Sequence, residues 1–390
     1  MRRLTLAYLR TESGAGLVLP VAAVAAVGLA TSGYAIHYRD FVAAPIPVRL
    51  GGFIETLTVA GWVRALLMPV FFLVLGMQLK FELLRGELSG LRRLALPLVA
   101  ALGGFVVPAA LYLALALALH APLSGWTVVC ATDGAAALAM LTLTGPRLAA
   151  SLRVLLVAVA LIDNLAAMIA DAVLAAGRLD RGMLAGAGLV LAALALLSRW
   201  RRAPFLFYAA GFVVVWGFAL KSGLAPALAG LLCALTVPIG ARRPGQESML
   251  RYFMDSLHPY VAFAVLPLFV FTAAGFSLHH FHVSGLLAPQ PLATMLAQVV
   301  GKPLGVFGLA AAAVSLKLAR RPVGATWLEM LGVALIAGEG FTVSYFLAGA
   351  VGADAADATL RAAIFIASAL AALAGGLLID RTQRGRTAET

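Results

Sequence analysis

The sequence predicts an all-α polytopic membrane protein with about twelve transmembrane helices. The chain of 390 residues is 62% hydrophobic and 12% charged, whereas soluble domains are about 45–50% apolar and 25% charged. Its apolar runs reach the ~20 residues that a helix needs to cross a bilayer. They are too numerous for a signal peptide followed by a soluble body. The lipid bilayer is therefore the expected surrounding of most of the chain.

The predicted spans follow one another with short connections. They lie at about 13–31, 59–84, 94–119, 122–145, 150–176, 183–198, 204–220, 222–240, 257–278, 288–315, 325–351 and 358–379. Several are short or contain Gly, Pro or a charge, which is tolerated where protein or a water-filled cavity surrounds the backbone. We interpret residues 1–390 as a single transmembrane domain.

The basic residues are distributed unevenly along the chain. With the N-terminus in the cytoplasm and alternating loops, most of the 29 Lys and Arg residues fall on the cytoplasmic side. Cytoplasmic loops of membrane proteins carry such an excess of positive charge, so we expect both termini in the cytoplasm. The net charge of +12 is thus a membrane signature. No nucleic-acid-binding motif accompanies it, and we expect no nucleic-acid partner.

The first long extracytoplasmic loop predicts a small β-hairpin at residues 44–58. Two β-prone runs flank Gly51 and Gly52, a pair that suits a two-residue hairpin turn. A single hairpin is only marginally stable in water. We expect it either to pair with the hairpin of a second chain in a homodimer or to form an ordinary loop, and the sequence does not favour one of these.

Two spans carry the same interruption at their centres. Residues 131–134 (Ala-Thr-Asp-Gly) lie in the fourth span, and residues 338–340 (Gly-Glu-Gly) lie in the eleventh. Each places a carboxylate beside Gly, where a helix can unwind. Matched interruptions in two halves of a chain indicate a transporter built from inverted repeats. We expect three-helix repeats at about 92–176 and 286–380, with the two broken helices crossing at the membrane midplane.

Ionisable residues inside the apolar runs mark the candidate functional site. Asp163 lies beside Asn164 near the centre of the fifth span, and Lys302 is a lone amine in the tenth. A charge in hydrocarbon costs at least ~2.5–3.5 kcal/mol on insertion scales. An unpaired charge there would be selected out unless it served the function of the protein.

Several segments resemble the NhaA-type sodium/proton antiporter family, in order and at matching spacing, from about residue 11 to residue 380. They include FFLVLG at 71–76, ATD at 131–133, LID at 161–163, KSG at 221–223, LHP at 257–259, GKPLG at 301–305 and GFTVS at 340–344. The resemblance implies an interface domain beside a core whose two unwound helices cross. It also implies a secondary transporter of the bacterial inner membrane that exchanges Na⁺ or Li⁺ for protons and so regulates intracellular pH and sodium.

In this family two adjacent aspartates on the fifth span form the cation and proton site. The resemblance assigns the first to Asp163, as ligand of the transported Na⁺ or Li⁺, with Lys302 as its displaceable partner. The second position, which is regarded as the principal cation ligand, holds Asn164 here. Thr132 and Asp133 match residues at the helix crossing, where charge compensates the facing helix ends. The resemblance implies no cofactor.

The amide at Asn164 alters the chemistry of this pair. An amide oxygen can bind a hard cation, but it carries no charge and releases no proton near neutral pH. Exchange needs a site that binds either ion and never both, which suits a buried carboxylate. We expect Asn164 to bind the cation without exchanging it for a proton. We expect Asp163 to bind either the cation or the proton.

Two other carboxylates are candidates to replace the missing one. Glu339 lies in the unwound stretch of the eleventh span, where the family usually has an apolar residue, and it is the better placed of the two. Its alternative role is to neutralise a helix N-terminus. Asp171 lies on the face of Asn164, about 10 Å further along the helix. Because it is near the outer end of its span, we expect it to face water.

Three alternatives to exchange follow from the incomplete site. The chain could be a non-transporting or altered-stoichiometry relative that acts as a sensor or regulatory membrane protein. Asp163 and Lys302 could also form a purely structural buried pair. An intramembrane protease would need a paired aspartate motif or a His-Glu-x-x-His helix, and the sequence contains neither. We therefore expect no enzymatic activity.

Overall fold

A computed structural model of the chain describes residues 2–50, 53–175, 179–199, 204–240, 248–350 and 358–388. The α-helices are α1 (Arg2–Thr31), α2 (Ala35–Ala43), α3 (Val59–Trp62), α4 (Met68–Leu84), α5 (Leu91–Leu119), α6 (Gly134–Thr144), α7 (Ala150–Ala175), α8 (Arg181–Leu197), α9 (Phe205–Ser222), α10 (Pro226–Thr236), α11 (Met249–Tyr260), α12 (Leu266–Ala273), α13 (Pro289–Leu296), α14 (Lys302–Ser315), α15 (Trp327–Ile336), α16 (Phe341–Ala350) and α17 (Ala358–Ala388). The strands are β1 (Pro45–Leu50) and β2 (Phe53–Thr58). The π-helical segments Val63–Leu67, Val261–Val265 and Ala297–Gly301 join neighbouring helices, and 3₁₀ helices cover Leu123–Val129, Leu278–His280 and Val283–Leu287.

The helices of the described chain are long and apolar enough for a multi-pass membrane protein. Eight candidate spans pass on length and composition, and up to ten if each of two bent pairs is one span. The bent pairs are Val18–Thr31 with α2, at 116°, and Leu123–Val129 with α6, at 43°. The shorter apolar helices α8 and α10 lie where the sixth and eighth spans are predicted. The all-α membrane fold is therefore confirmed.

The predicted hairpin is present as an antiparallel pair of strands. Its register runs from Pro45 opposite Thr58 to Leu50 opposite Phe53. The turn residues 51–52, Gly51 and Gly52, lie outside the described residues. Lys221 at the end of α9 fixes β2, because its Nζ lies 2.6 Å from Glu55 Oε1 and donates to the carbonyl of Ile54. Pairing of this hairpin with a second chain stays a prediction.

Local signals explain where several helices begin and end. The Asp180 side chain accepts hydrogen bonds from the backbone N–H groups of the first turn of α8. Thr326 and Glu329 form a reciprocal capping box at the start of α15, which pairs N–H groups that a helix start leaves unpaired. Gly223, with a φ of 81°, ends α9 in the left-handed conformation that glycine adopts without a Cβ penalty.

The chain divides into two compact units, and each is made of separate segments. The first comprises Met1–Ala35, Glu87–Ala167 and Ala273–Thr390, and the second comprises Ile36–Gly86 and Met168–Thr272. Both interrupted spans belong to the first unit, and the hairpin belongs to the second. Asp163 and Asn164 on α7 therefore lie in the first unit.

Two glycines allow α5 and α14 of the first unit to pack backbone against backbone. A Cβ added to Gly305 would overlap the carbonyl oxygen of Gly103, and a Cβ added to Gly103 would overlap that of Gly305. Small residues permit such close approach between membrane helices. Because Lys302 begins α14, one turn before Gly305, this packing sets the position of the lysine.

We expect Gly305→Ala to lower the midpoint of thermal unfolding in detergent by several degrees. The added methyl group must push the two helices apart, and overpacking of this kind costs about 1–3 kcal/mol. Gly308→Ala is the matched control, because it lies in the same helix and its added Cβ would meet nothing within 4 Å. Equal unfolding midpoints for the two variants would contradict the close packing.

Candidate functional site

The two interrupted spans meet at their non-helical stretches. In the first, the backbone leaves the helical conformation between Val129 and Gly134; in the second, it does so between Ile336 and Phe341. The N–H of Asp133 donates to the carbonyl of Glu339 at 2.7 Å. The structure thus joins the two predicted interruptions by a direct backbone hydrogen bond.

Lys302 is fully buried and pairs with three acceptors. Its Nζ donates to the carbonyls of Cys130 and Ala131, at 2.5 and 2.6 Å, and lies 3.2 Å from Oδ2 of Asp163. An ammonium has three protons to donate, so every proton has a partner. Lys302 therefore neutralises both the carboxylate and the carbonyl end of the 3₁₀ helix Leu123–Val129.

Asp163 is fully buried, and its two oxygens differ. Oδ2 faces Lys302 and the hydroxyl of Thr132, which lies 3.0 Å away. Oδ1 is buried and has no hydrogen-bond partner among the described residues. A Cβ added to Gly104 would lie 3.3 Å from Oδ2 and 3.7 Å from Oδ1, so the absence of a side chain there keeps space beside the carboxylate. Oδ1 is the atom of this group that can meet an incoming cation.

The carboxylate of Asp133 is committed to the ends of two helices. Oδ1 accepts hydrogen bonds from the N–H groups of Ala135 and Ala136 at the start of α6, and Oδ2 accepts from the N–H of Thr342 in the first turn of α16. Negative charge stabilises a helix N-terminus. Asp133 therefore holds two helix starts together and leaves little of its carboxylate for another ligand.

The side chain of Asn164 is directed at the backbone of Thr132. Its Nδ2 donates to the carbonyl of Thr132 at 3.0 Å, and its Oδ1 accepts from the N–H of the same residue at 3.3 Å. Only 2% of Asn164 is exposed. Both polar atoms of the amide are thus used by the backbone N–H and C=O of one residue in the unwound stretch.

Glu339 is buried at the crossing, but its side chain is not paired like that of Glu329. Oε2 of Glu339 has no hydrogen-bond partner among the described residues, and its charge interacts with that of Asp133. Glu329, also buried, accepts from the backbone and hydroxyl of Thr326 and from Nε2 of Gln383. The structure therefore places Glu339 beside Asp133, with an oxygen available.

Asp171 does not face water, contrary to the expectation from its position in the chain. Only 7% of the residue is exposed. Its charge interacts with that of Arg64, and both residues belong to the second compact unit. Arg64 belongs to a segment far from Asp171 in the chain, so the pattern of one helix alone did not reveal this surrounding of the carboxylate.

Sequence reasoning missed a hydrogen-bond chain through Gln298. The fully buried Gln298 donates from Nε2 to the Ser344 hydroxyl at 3.1 Å, and this hydroxyl donates to the carbonyl of Val128 at 2.6 Å. Oε1 of Gln298 is buried without a partner among the described residues. Gln298 lies four residues before Lys302, hence on the same helical face. The sequence contained one signal for this residue, which is an amide about one helical turn before the lysine inside the same apolar span.

Comparisons with known proteins show the family of the chain. The family model described as Na⁺/H⁺ antiporter 1 matches residues 6–379. The chain belongs to this family. The resemblance drawn from its motifs to NhaA-type antiporters is therefore confirmed.

The similarity to individual relatives extends over almost the whole chain. A Na(+)/H(+) antiporter NhaA of Nitrobacter hamburgensis is 40% identical over 382 residues, which are 97% of this chain and 91% of the relative. The Na(+)/H(+) antiporter NhaA of Rhodospirillum rubrum is 39% identical over an alignment that covers 98% of each chain. The Na(+)/H(+) antiporter NhaA 2 of Erythrobacter litoralis is 37% identical over 369 residues, 94% of this chain and 91% of the relative. The similarity thus includes both interrupted spans.

Proposed function

We propose that this NhaA-family protein exchanges Na⁺ or Li⁺ for protons across the bacterial inner membrane through Asp163. The observation that carries the proposal is the asymmetry of this buried carboxylate. One oxygen lies 3.2 Å from Lys302 Nζ, and the other has no partner among the described residues. A hard monovalent cation needs an oxygen ligand of this kind.

Charge balance at the pair couples the cation to a proton. An ionised Asp163 and a protonated Lys302 sum to zero charge, and a cation at Oδ1 adds one positive charge. The balance returns if Lys302 releases the proton that it donates to Asp163. The neutral amine then keeps two N–H groups, which match the carbonyls of Cys130 and Ala131. One proton thus leaves for each cation that binds, and the two compete.

The neighbouring residues keep the site in shape through the cycle. The Thr132 hydroxyl carries one proton and lies within hydrogen-bond distance of both Asp163 Oδ2 and the carbonyl of Ala337. It can donate to either one as the charge on Asp163 changes. Asp133 keeps the starts of α6 and α16 together. Glu339 adds a further ionisable group to the crossing, beside Asp133.

Movement of the site between the two sides of the membrane requires a change of access. We propose that the repeats at about 92–176 and 286–380 provide it by rocking as a core, as in other transporters with inverted repeats. Exchange in this mode, with both termini cytoplasmic, would regulate intracellular pH and sodium. The hairpin at residues 44–58 is proposed to pair with that of a second copy in a homodimer, because a lone hairpin is only marginally stable in water.

Asp163→Asn should abolish exchange. An amide of the same shape carries no negative charge, so it can neither pair with a protonated Lys302 nor balance the charge of the cation. The measurement is collapse of an imposed pH gradient by Na⁺ or Li⁺ in reconstituted vesicles, and the expected rate is that of protein-free vesicles. The control is Asp255→Asn, which alters an exposed ion pair with Arg251 and should leave the rate unchanged.

Undiminished exchange by Asp163→Asn would contradict the role of Asp163. Wild-type protein that is silent with Na⁺, Li⁺ and K⁺ would instead indicate a non-transporting relative.

Glu339→Gln should slow exchange and change its pH dependence, because it removes an ionisable group beside Asp133 without a change of shape. Initial rates across a pH series in the same vesicles measure this. The matched control is Glu329→Gln in the same span, since a glutamine preserves the capping box. A loss as complete as that of Asp163→Asn would make Glu339 the substitute carboxylate. An unchanged rate at every pH would leave Asp163 acting alone.

A further inference from the structure

The unwound stretch that contains Thr132 leaves the backbone N–H and C=O of this residue without a helical partner. Residues 130–133 lie between a 3₁₀ helix and α6, and Thr132 is fully buried. Inside a membrane protein, backbone N–H and C=O groups must find partners within the protein. The side chain of Asn164 supplies both partners, since it accepts from the N–H of Thr132 and donates to its carbonyl.

This double pairing selects the type of side chain. An amide has a donor and an acceptor side by side, whereas an ionised carboxylate is an acceptor only. A carboxylate at position 164 would accept from the Thr132 N–H but would face the carbonyl oxygen of Thr132 with a second negative oxygen. A protonated carboxyl could satisfy both groups. The pairing therefore favours an amide and penalises the ionised acid.

We propose that Asn164 is a positioning residue, whose amide pairs with the backbone N–H and C=O of Thr132 and so holds the Thr132 hydroxyl against Asp163, and that it is not a ligand of the transported cation. The link to the site is short, since that hydroxyl lies 3.0 Å from Oδ2 of Asp163. Of the two adjacent residues Asp163 and Asn164, Asp163 alone then binds the cation. The statement about cation binding rests on the proposed exchange function. The pairing of Asn164 with Thr132 rests on the hydrogen bonds alone.

The test compares Asn164→Asp with Asn164→Leu, which has a similar size and neither donor nor acceptor. Each variant is measured in two ways: the midpoint of thermal unfolding in detergent, and Na⁺ or Li⁺ exchange in vesicles, both across a pH series. The unfolding measurement requires no transport. A wild-type protein that failed to exchange would refute the proposed function and still leave the pairing testable.

For Asn164→Asp we expect a wild-type unfolding midpoint at acidic pH, where the introduced carboxyl is protonated and can donate to Thr132. The midpoint should fall relative to wild type as the pH rises and the carboxyl ionises. The maximal exchange rate at alkaline pH should fall about tenfold, the order of effect of an unpaired buried polar group, with no decrease in the cation KM. For Asn164→Leu we expect a lower unfolding midpoint and a lower exchange rate than the wild type at every pH.

Two results would overturn the inference. The first is a lower cation KM or a higher maximal rate for Asn164→Asp at alkaline pH with a wild-type unfolding midpoint, as expected if position 164 binds the cation. The second is wild-type behaviour of Asn164→Leu in both measurements, since the pairing would then have no effect on the site.

Discussion

The structure depends on one constraint: two helices are unwound where they cross, and their exposed backbone groups must be paired inside the protein. The carbonyls of Cys130 and Ala131 accept from Lys302. The peptide of Thr132 pairs with Asn164, and the N–H of Asp133 donates to the carbonyl of Glu339. The polar side chains of the site are thus first of all partners of an interrupted backbone.

The proposed exchange uses the place where this pairing is incomplete. Lys302 has three acceptors for three protons, whereas Asp163 has one oxygen with partners and one without among the described residues. A buried pair is sensitive to the loss of either partner, so an ion that approaches Oδ1 necessarily disturbs the lysine. In the proposed exchange, release of the lysine proton restores the charge balance and keeps the two carbonyls paired. The contacts that hold the crossing together are then also those that let the protein bind either the cation or the lysine proton.

The sequence predicted the elements well because their signals are local. Long apolar runs predict spans, Gly beside a carboxylate predicts the interruptions, and paired β-prone runs predict the hairpin. The partners of Asn164 and Asp171 could not be predicted, because they lie in distant segments: Asn164 pairs with Thr132, and Asp171 interacts with Arg64. Asn164 in isolation looks like a weakened ligand. The position of the unwound backbone in space supports the positioning role that we propose for it.

Proton release on cation binding tests the central claim most directly, which is that a cation at Asp163 competes with the proton of Lys302. Li⁺ or Na⁺ is added to purified protein in weakly buffered detergent solution, and the change in pH is recorded alongside the amount of cation bound. We predict about one proton released for each cation bound by the wild type, as charge balance at the Asp163 and Lys302 pair requires, and none from Asp163→Asn. Equal proton release from the two proteins would contradict the account.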